Sequence, residues 1–166
     1  MSFRIGNGYD AHRLAAGRAL VLGGVTVPFE KGLLGHSDAD VLTHAVIDAL
    51  LGAARLGDIG RHFPDTDPAY DGISSLELLF RAGNMIKQSG FNIVNIDSII
   101  VAQRPRLAPY VPEMERSIAS RLGIPADACG VKATTEEGMG FTGAGEGMAA
   151  YACCLLEKTR EKYRFV

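Results

Sequence analysis

Hydrophobic and polar positions alternate with a period of two at the start of the chain, as is typical of a β-strand. The two faces of residues 3–13 carry Phe3, Ile5, Tyr9 and Ala11 on one side and Gly6, Gly8, Asp10 and His12 on the other. The second face begins with two glycines, which have no side chain, and ends in a carboxylate and an imidazole. A solvated outer face near a strand end would explain this pair, so a functional site needs a third partner.

The next segments change from strand patterns to a helical one. Residues 19–29 contain two short β-runs that meet at Gly23-Gly24, which predicts a hairpin. A helix is predicted from about Asp38 to Leu56, because Ser37 and Asp40 have capping-box spacing and Gly57 follows as a stop signal. Residues 57–72 combine prolines with four aspartates and predict an irregular surface loop.

The second half of the chain continues this mixture of elements. Amphipathic patterns predict helices at residues 74–88 and 109–121, β-rich runs predict strands at residues 92–102 and 131–135, and residues 148–158 suit either element. Strands and helices alternate without a regular repeat. We therefore predict one α+β domain over residues 1–166, a sheet with helices packed on one face, as a sandwich related to ferredoxin-like folds.

Composition narrows the classes of partner. The chain has 166 residues, of which 47% are hydrophobic and 22% charged, a size and balance typical of one globular domain. Its net charge of -2 provides no general cationic field for nucleic acid or for an anionic membrane. We therefore expect neither partner, and an anionic ligand would have to be held by metals, helix N-termini or backbone amides.

The cysteines and the N-terminal segment bear on location. Cys129, Cys153 and Cys154 are odd in number, lack C-x-x-C spacing and include an adjacent pair that is poorly placed to bridge. We expect them to be small buried hydrophobic residues in a reducing compartment. Because MSFRIGNGYD has no apolar run and no segment approaches about 18 apolar residues, we predict a cytoplasmic protein without a membrane span.

The helix predicted from Asp38 is apolar almost all round and should be buried. His44 and Asp48 lie four residues apart on one of its faces and could satisfy each other inside the core. Alternatively, Asp10, His12 and His44 form an Asp-His-His set that suits Zn²⁺ with a fourth position open, and Asp48 then contacts the metal ligands from outside or supports the helix. The spacing alone leaves both interpretations open.

Two segments have the chemistry to hold phosphate. His36 and Ser37 precede the predicted helix, whose free amides and dipole favour an anion. Residues 138–143 match G-x-G-x-x-G, but a dinucleotide fold needs further β-α units downstream, so we expect a tight turn between strands. Just before the glycines, Thr134 and Thr135 offer hydroxyl groups and Glu137 a carboxylate for a second, hard metal ion.

Two loops add polar groups. Asp58 and Asp65 in the acidic loop suit hydroxyl groups and would repel phosphate. Arg104 and Arg106 in QRPRLAP could contact phosphate, although exposed arginines are common.

Several blocks in order then resemble one family, the 2-C-methyl-D-erythritol 2,4-cyclodiphosphate synthases. They are GYDAHR, residues 23–60, HFPDTDP, AQRPRLAP, and VKATTEE followed by GFTGAGEG, and together they extend from about Arg4 to Glu157. The resemblance implies a homotrimer with active sites between subunits. It also implies conversion of 4-diphosphocytidyl-2-C-methyl-D-erythritol 2-phosphate to the cyclic diphosphate and CMP, a step of the non-mevalonate isoprenoid pathway.

The resemblance assigns roles residue by residue. Asp10, His12 and His44 would bind Zn²⁺, and Glu137 would bind a Mg²⁺ or Mn²⁺ held by the diphosphate. His36, Ser37, Thr135 and Glu137 would form the catalytic set, with His36 and Ser37 holding the 2-phosphate. The substrate-binding residues would be Asp58, Gly60 and Asp65 for the erythritol, Ala102, Arg106, Leu107, Ala108, Lys132 and Ala133 around the cytosine, and Thr134 with Thr135 for the CMP phosphate.

The sequence departs from the family pattern at two positions. Ala144 stands where members often carry an arginine that faces the central cavity of the trimer, and Gly138 stands where a lysine is common. Ala144 therefore argues against isoprenoid diphosphate binding in that cavity. Two alternatives stay open: a zinc phosphoesterase that activates water with the same three ligands, and a non-enzymatic trimer that binds isoprenoid phosphates.

Overall fold

The structure, a computed structural model, describes residues 2–159. Its strands are β1 (Phe3–Ala16), β2 (Leu20–Leu22), β3 (Val25–Val27), β4 (Lys31–Leu33), β5 (Phe91–Val101), β6 (Cys129–Thr134) and β7 (Gly147–Lys158). Its α-helices are α1 (Val41–Ala53), α2 (Ile59–His62), α3 (Ser75–Gln88), α4 (Val111–Leu122) and α5 (Gly140–Gly143), with 3₁₀ turns at Pro68–Tyr70 and Ala126–Ala128. Met1 and residues 160–166 of the predicted domain lie outside the described residues.

Five strands form one mixed sheet in the order β4-β1-β7-β5-β6, and β2 and β3 form a separate hairpin. Strand β7 runs antiparallel to both of its neighbours, β1 and β5, whereas β5 and β6 are parallel. The registers place Ala11, Ala149, Val101 and Thr134 in one row across the sheet. Thr134 therefore lies three strands, or about 14 Å, from the β1 segment that carries Asp10 and His12.

The glycine face of β1 packs directly against α1. A Cβ on Gly6 would lie 1.9 Å from the carbonyl oxygen of Ala49, and one on Gly8 would lie 2.0 Å from that of Ala45. The predicted alternation is confirmed, but the interpretation of the Asp10 and His12 face as a solvated outer face is wrong, because α1 covers it.

The apolar face of β1 is instead exposed in this chain. The exposed fraction is 50% for Phe3, 78% for Ile5 and 47% for Tyr9. Tyr9 pairs with Tyr151 on β7, which is itself exposed, and the two ring centroids lie 4.7 Å apart. We call this surface, defined by Phe3, Ile5, Tyr9 and Tyr151, the bare face of the sheet.

Helix α1 forms the centre of the core, with ten of its residues buried. The prediction that Ser37 caps this helix in a capping box is wrong: Asp40 is the N-cap, and its carboxylate accepts hydrogen bonds from the amides of Gly23, Gly24 and Thr43. The helix ends at Ala53, before the predicted stop at Gly57. Asp40 thus joins the helix start to the β2–β3 turn.

Most other predicted elements are confirmed. Gly23 and Gly24 form the hairpin turn with φ of +58° and +74°, a left-handed pair that suits a two-residue loop. Residues 148–158 are in a strand rather than a helix, and the loop at residues 57–72 contains the short helix α2 and a 3₁₀ turn. The prediction of a tight turn at residues 138–143 is wrong, because β5 lies between β6 and β7 and α5 occupies the connection.

The sheet, the helices and the hairpin share one core of buried apolar residues, which confirms an α+β fold with helices on one face of the sheet. Cys129 and Cys154 are buried as predicted, and burial raises the pKa of the Cys129 thiol to about 12. The same prediction is wrong for Cys153, which is exposed. Among residues 2–159, no helix has the length and apolar content needed to cross a membrane.

Candidate active site

Three side chains from β1 and α1 converge at one point. Asp10 Oδ2 lies 2.9 Å from His12 Nε2 and 2.9 Å from His44 Nδ1, and the two imidazole nitrogens are 3.3 Å apart. All three side chains are half-buried. The strand positions two residues apart supply the first two groups, and the close packing of α1 on β1 brings the third.

The geometry fits a metal ion. Ligands bound tetrahedrally to zinc at about 2.0 Å lie roughly 3.3 Å from one another, close to the separations seen here. One carboxylate and two imidazoles also form a donor set that zinc accepts, and three protein ligands leave one position open. Asp10, His12 and His44 are therefore a group that could bind a metal ion.

Electrostatics couple these groups in the absence of a metal. Burial acts to raise the pKa of Asp10, but hydrogen bonds and charge from His12 and His44 hold it well below its usual range. Burial acts to lower the pKa of His44, but its hydrogen bond to Asp10 and the charge of that carboxylate raise the pKa above its usual value. The cluster is thus an ion pair in which protons compete with metal for the same nitrogen.

Asp48 is not one of the three converging groups, and its hydrogen bond goes to the next helix rather than to His44. The interpretation that Asp48 and His44 satisfy each other is therefore wrong, whereas a role for Asp48 in supporting the helix agrees with this contact. The Asp48 carboxylate accepts a hydrogen bond of 2.8 Å from the amide of Ile59 and so holds the start of α2 against α1. The second ring nitrogen of His44, Nε2, lies instead 2.9 Å from Ser75 Oγ. Sequence reasoning missed Ser75, because only the packing of α3 on α1 brings it near a residue 31 positions away.

A cavity of about 410 Å³ opens beside the three residues, and we call it the metal cavity. His12, His44, His36 and Ser37 line one part of it, and Gly60 and Asp65 line another. Asp58 is adjacent and caps α2 through the amide of Arg61. The structure therefore brings the predicted phosphate and erythritol residues to the same cavity as the metal cluster.

His36 and Ser37 lie in the turn before α1 rather than at its N-cap, where the sequence had placed Ser37. The Asp40 carboxylate already occupies that end of the helix. Ser37 Oγ instead accepts a hydrogen bond from the amide of Ala39 and lies 3.2 Å from His44 Nε2. Contacts with His44 and with the turn before α1 thus hold the Ser37 side chain in position, whereas the His36 side chain is exposed.

A second cavity of about 470 Å³ lies at the other edge of the sheet, and we call it the loop cavity. Its lining consists of residues 102–108 and 133–135, which include Ala102, Arg106, Leu107, Ala108, Ala133, Thr134 and Thr135. Lys132 lies outside this lining and forms an ion pair with Asp97 on β5. Among the described residues, none lines both cavities.

Glu137 follows the loop cavity in an unusual backbone conformation. Its φ is +52°, in the left-handed region that side chains other than glycine seldom adopt. Its exposed carboxylate accepts a hydrogen bond from the Thr135 hydroxyl at 3.3 Å. Arg104, also at this edge, pairs with Glu30 at 3.6 Å and lies near Phe29, so one carboxylate and one ring already engage its charge.

Comparison with known proteins adds four findings. The chain is 61% identical over 156 residues to a protein of Pelotomaculum thermopropionicum named 2-C-methyl-D-erythritol 2,4-cyclodiphosphate synthase, and the match covers 94% of this chain and 96% of that one. A solved structure of the bifunctional IspDF of Campylobacter jejuni superposes with a TM-score of 0.92 at 42% identity and covers 95% of this chain. This chain spans 42% of the length of that protein.

The third finding is a structure described as a complex of Plasmodium falciparum IspF with CDP. It superposes with a TM-score of 0.84 at 30% identity and covers 96% of this chain and 98% of its own. The model of one family matches residues 3–157. With these matches, and with the metal cluster and both cavities in place, the chain belongs to the YgbB family.

Proposed function

We propose that this chain converts 4-diphosphocytidyl-2-C-methyl-D-erythritol 2-phosphate to 2-C-methyl-D-erythritol 2,4-cyclodiphosphate and CMP in non-mevalonate isoprenoid synthesis. The observation that carries the proposal is the convergence of Asp10, His12 and His44 beside Ser37 in one cavity. The name of the relative at 61% identity supports the same reaction.

In the proposed reaction, an oxygen of the 2-phosphate attacks the β-phosphorus, and the bond from that phosphorus to the oxygen bridging to the α-phosphate breaks. The bridging oxygen leaves with its electron pair as part of CMP. The nucleophile is already ionised at neutral pH, so the obstacle is repulsion between anions rather than the lack of a base. Binding the substrate folded back on itself supplies proximity, which is worth up to roughly 7 to 11 kcal/mol in well-oriented intramolecular reactions.

Two metal sites complete this proposal. Asp10, His12 and His44 hold Zn²⁺, and Glu137 together with the substrate diphosphate holds Mg²⁺ or Mn²⁺. Such ions, when bound, polarise the phosphoryl oxygens and neutralise charge on the attacking and leaving groups. The left-handed backbone of Glu137 is a strained feature that suits a ligand-binding position.

The protein residues bind and orient the substrate. His36 and Ser37 position the 2-phosphate, and Asp58, Gly60 and Asp65 contact the erythritol hydroxyls. Around the cytosine we place the loop residues Ala102, Arg106, Leu107 and Ala108 with Lys132 and Ala133, while Thr134 and Thr135 bind the CMP phosphate. The CDP complex of the P. falciparum protein supports a nucleotide site of this kind.

We further propose that the chain assembles as a homotrimer with active sites between subunits. The exposed apolar side chains of the bare face favour burial against a second copy. The metal cavity lies beside β1 and the loop cavity beside β6, with two strands of the sheet between them. This separation supports a site that combines the metal cavity of one chain with the loop cavity of the next. A single domain over residues 1–166, kinship with ferredoxin-like folds and a cytoplasmic location belong to the same proposal.

Phosphorus NMR of the purified protein tests the reaction. The protein is mixed with 4-diphosphocytidyl-2-C-methyl-D-erythritol 2-phosphate and Mg²⁺, with and without a chelator. We expect signals of CMP and a cyclic diphosphate, and we expect the chelator to abolish both. A linear phosphate product would instead show a phosphoesterase, and the absence of turnover by folded, zinc-loaded protein would favour a binding protein.

A further inference from the structure

His44 makes a specific contact on each side of its ring. Nδ1 points to the metal cluster, 2.9 Å from Asp10 Oδ2, and Nε2 lies 2.9 Å from Ser75 Oγ at the start of α3. A neutral imidazole that gives the Nδ1 lone pair to a metal must carry its hydrogen on Nε2. The partner of Nε2 therefore decides whether His44 is ready to bind a metal.

Ser75 is arranged to accept this hydrogen. Its side chain is fully buried, and its hydroxyl donates to Asp38 Oδ1 while its backbone amide donates to Asp38 Oδ2 at 2.9 Å. Because the single hydroxyl hydrogen is committed to a carboxylate, the serine oxygen can only accept from His44. A chain of hydrogen bonds therefore runs from His44 through Ser75 to Asp38.

We propose that Ser75 and Asp38 are positioning residues of the metal centre: they fix the Nε2–H form of His44 and aim its Nδ1 lone pair at the space shared with Asp10 and His12. A histidine that binds metal commonly donates its other N–H to a carboxylate or carbonyl, and loss of such a partner costs about 10–100-fold in metal affinity or activity. Here a buried serine relays the interaction to the carboxylate. The inference rests on the metal site of the proposed function but not on its reaction.

The same arrangement affects Ser37. Its hydroxyl oxygen lies 3.2 Å from His44 Nε2, farther than Ser75, and already accepts from the amide of Ala39 at 3.1 Å. With Ser75 as the acceptor for His44, the Ser37 hydroxyl hydrogen can be directed to Ser75 Oγ, 3.5 Å away, or to a ligand in the metal cavity. Ser75 and Asp38 thus keep the metal ligand and its neighbouring serine in separate roles.

Zinc affinity tests the proposal directly. Metal-free wild type, Ser75→Ala and Asp38→Asn are titrated with zinc in competition with a chromophoric chelator at fixed pH. We expect Ser75→Ala to weaken zinc binding about 10–100-fold and Asp38→Asn to weaken it by a smaller factor in the same direction. Ser74→Ala is the matched control, because Ser74 is exposed and its side chain makes no capping bond at α3; we expect its zinc affinity to stay within about twofold.

A second readout separates positioning from general stability. In ¹⁵N NMR of the zinc-loaded protein, His44 should show a protonated Nε2, and Ser75→Thr, which restores a hydroxyl, should recover much of the zinc affinity lost in Ser75→Ala. If Ser75→Ala does not fold, Asp38→Asn carries the test, since it keeps the size of the side chain. Circular dichroism of each metal-free variant shows whether the fold is intact.

The outcomes are distinguishable from those of the proposed reaction. Zinc affinity of folded Ser75→Ala equal to wild type, or an equal loss in Ser74→Ala, would overturn the positioning role even if the wild type produces the cyclic diphosphate. Weakened zinc binding in Ser75→Ala would support the role even if the wild type gives no cyclic product.

Discussion

The metal cavity and the loop cavity differ in how much of their geometry a single chain supplies. In the metal cavity, half-buried side chains from β1 and α1 already lie within 3.3 Å of one another, and buried Ser75 supports one of them. In the loop cavity, Thr134 and Thr135 are exposed, as is Glu137 just beyond its lining, and the contact between Thr135 and Glu137 is 3.3 Å long. Packing therefore builds the first site before any ligand arrives, whereas the second leaves its polar side chains open to a ligand or a neighbouring chain.

The largest effect is expected from a change in the metal cavity, whose geometry is already formed in the single chain. His44→Ala removes a ligand and should lower zinc content and turnover by more than the about 100-fold at the upper end of losses from outer partners. Metal analysis and the phosphorus NMR assay measure both. His62→Ala is the matched control, because His62 bonds the carbonyl of Leu56 away from the cluster and should keep its zinc. Full turnover by His44→Ala would contradict the zinc assignment.

A change at Glu137, beside the loop cavity, should lower the rate without changing the zinc content. Glu137→Gln keeps the side-chain size but removes the charge that would hold the second cation, so we expect kcat to fall about 10²–10³-fold, as for loss of one electrostatic contact to the transition state. Its zinc content should equal that of the wild type. The dependence of the rate on Mg²⁺ concentration checks the assignment, and an unchanged dependence would assign the second cation to other residues.

A mixing experiment asks whether the two cavities work across a subunit boundary. Chains carrying His44→Ala and chains carrying Glu137→Gln are unfolded together, refolded with zinc and assayed. If each site takes its metal cavity from one chain and its loop cavity from the next, an equal mixture should recover about one quarter of wild-type activity, since one in four neighbouring pairs is intact in both parts. Recovery no greater than the sum of the two variants would place both cavities of a site on one chain.

The smallest effect concerns pH and the metal-free cluster. The raised pKa of His44 stabilises the folded state fully below about pH 6.5, and this contribution is lost as the pH rises through the folded-state pKa. Urea unfolding of metal-free protein should therefore show a free energy of unfolding that declines over this range. His44→Gln should remove the decline, whereas Glu137→Gln should keep it, because its exposed side chain lies outside the cluster. A decline that persists in His44→Gln would assign the effect to another group.

The sequence predicted the elements with strong local signals. The period of two in β1, the Gly23-Gly24 hairpin and the amphipathic helices α3 and α4 depend on neighbouring residues, and all are confirmed. The capping of α1 was predicted wrongly, because Asp40 is held by the amides of a hairpin far along the chain rather than by local spacing alone. Tertiary contacts of this kind have no periodic signal.

The candidate site was predictable to a similar degree. The residue types of Asp10, His12 and His44 predicted a set of metal ligands, but only the structure shows that their side-chain atoms lie within 3.3 Å of each other. The role of Ser75 was not predictable, since a serine at a helix start is common and its contacts to Asp38 and His44 cross more than 30 residues. The roles of the loop residues stay predictions.

Gly6 and Gly8 set the distance between β1 and α1, and with it the spacing of the three candidate metal ligands. Because glycine has no Cβ, α1 can approach β1 very closely. A Cβ added at Gly6 or Gly8 would lie only 1.9 or 2.0 Å from a backbone oxygen of α1. An alanine at either position would lift the helix and carry His44 away from Asp10, although neither glycine touches a ligand. Mutational searches for the active site would therefore find two positions that carry no functional group. A designer who transplants the three ligands to another scaffold must also keep glycine at the two positions where the strand meets the helix.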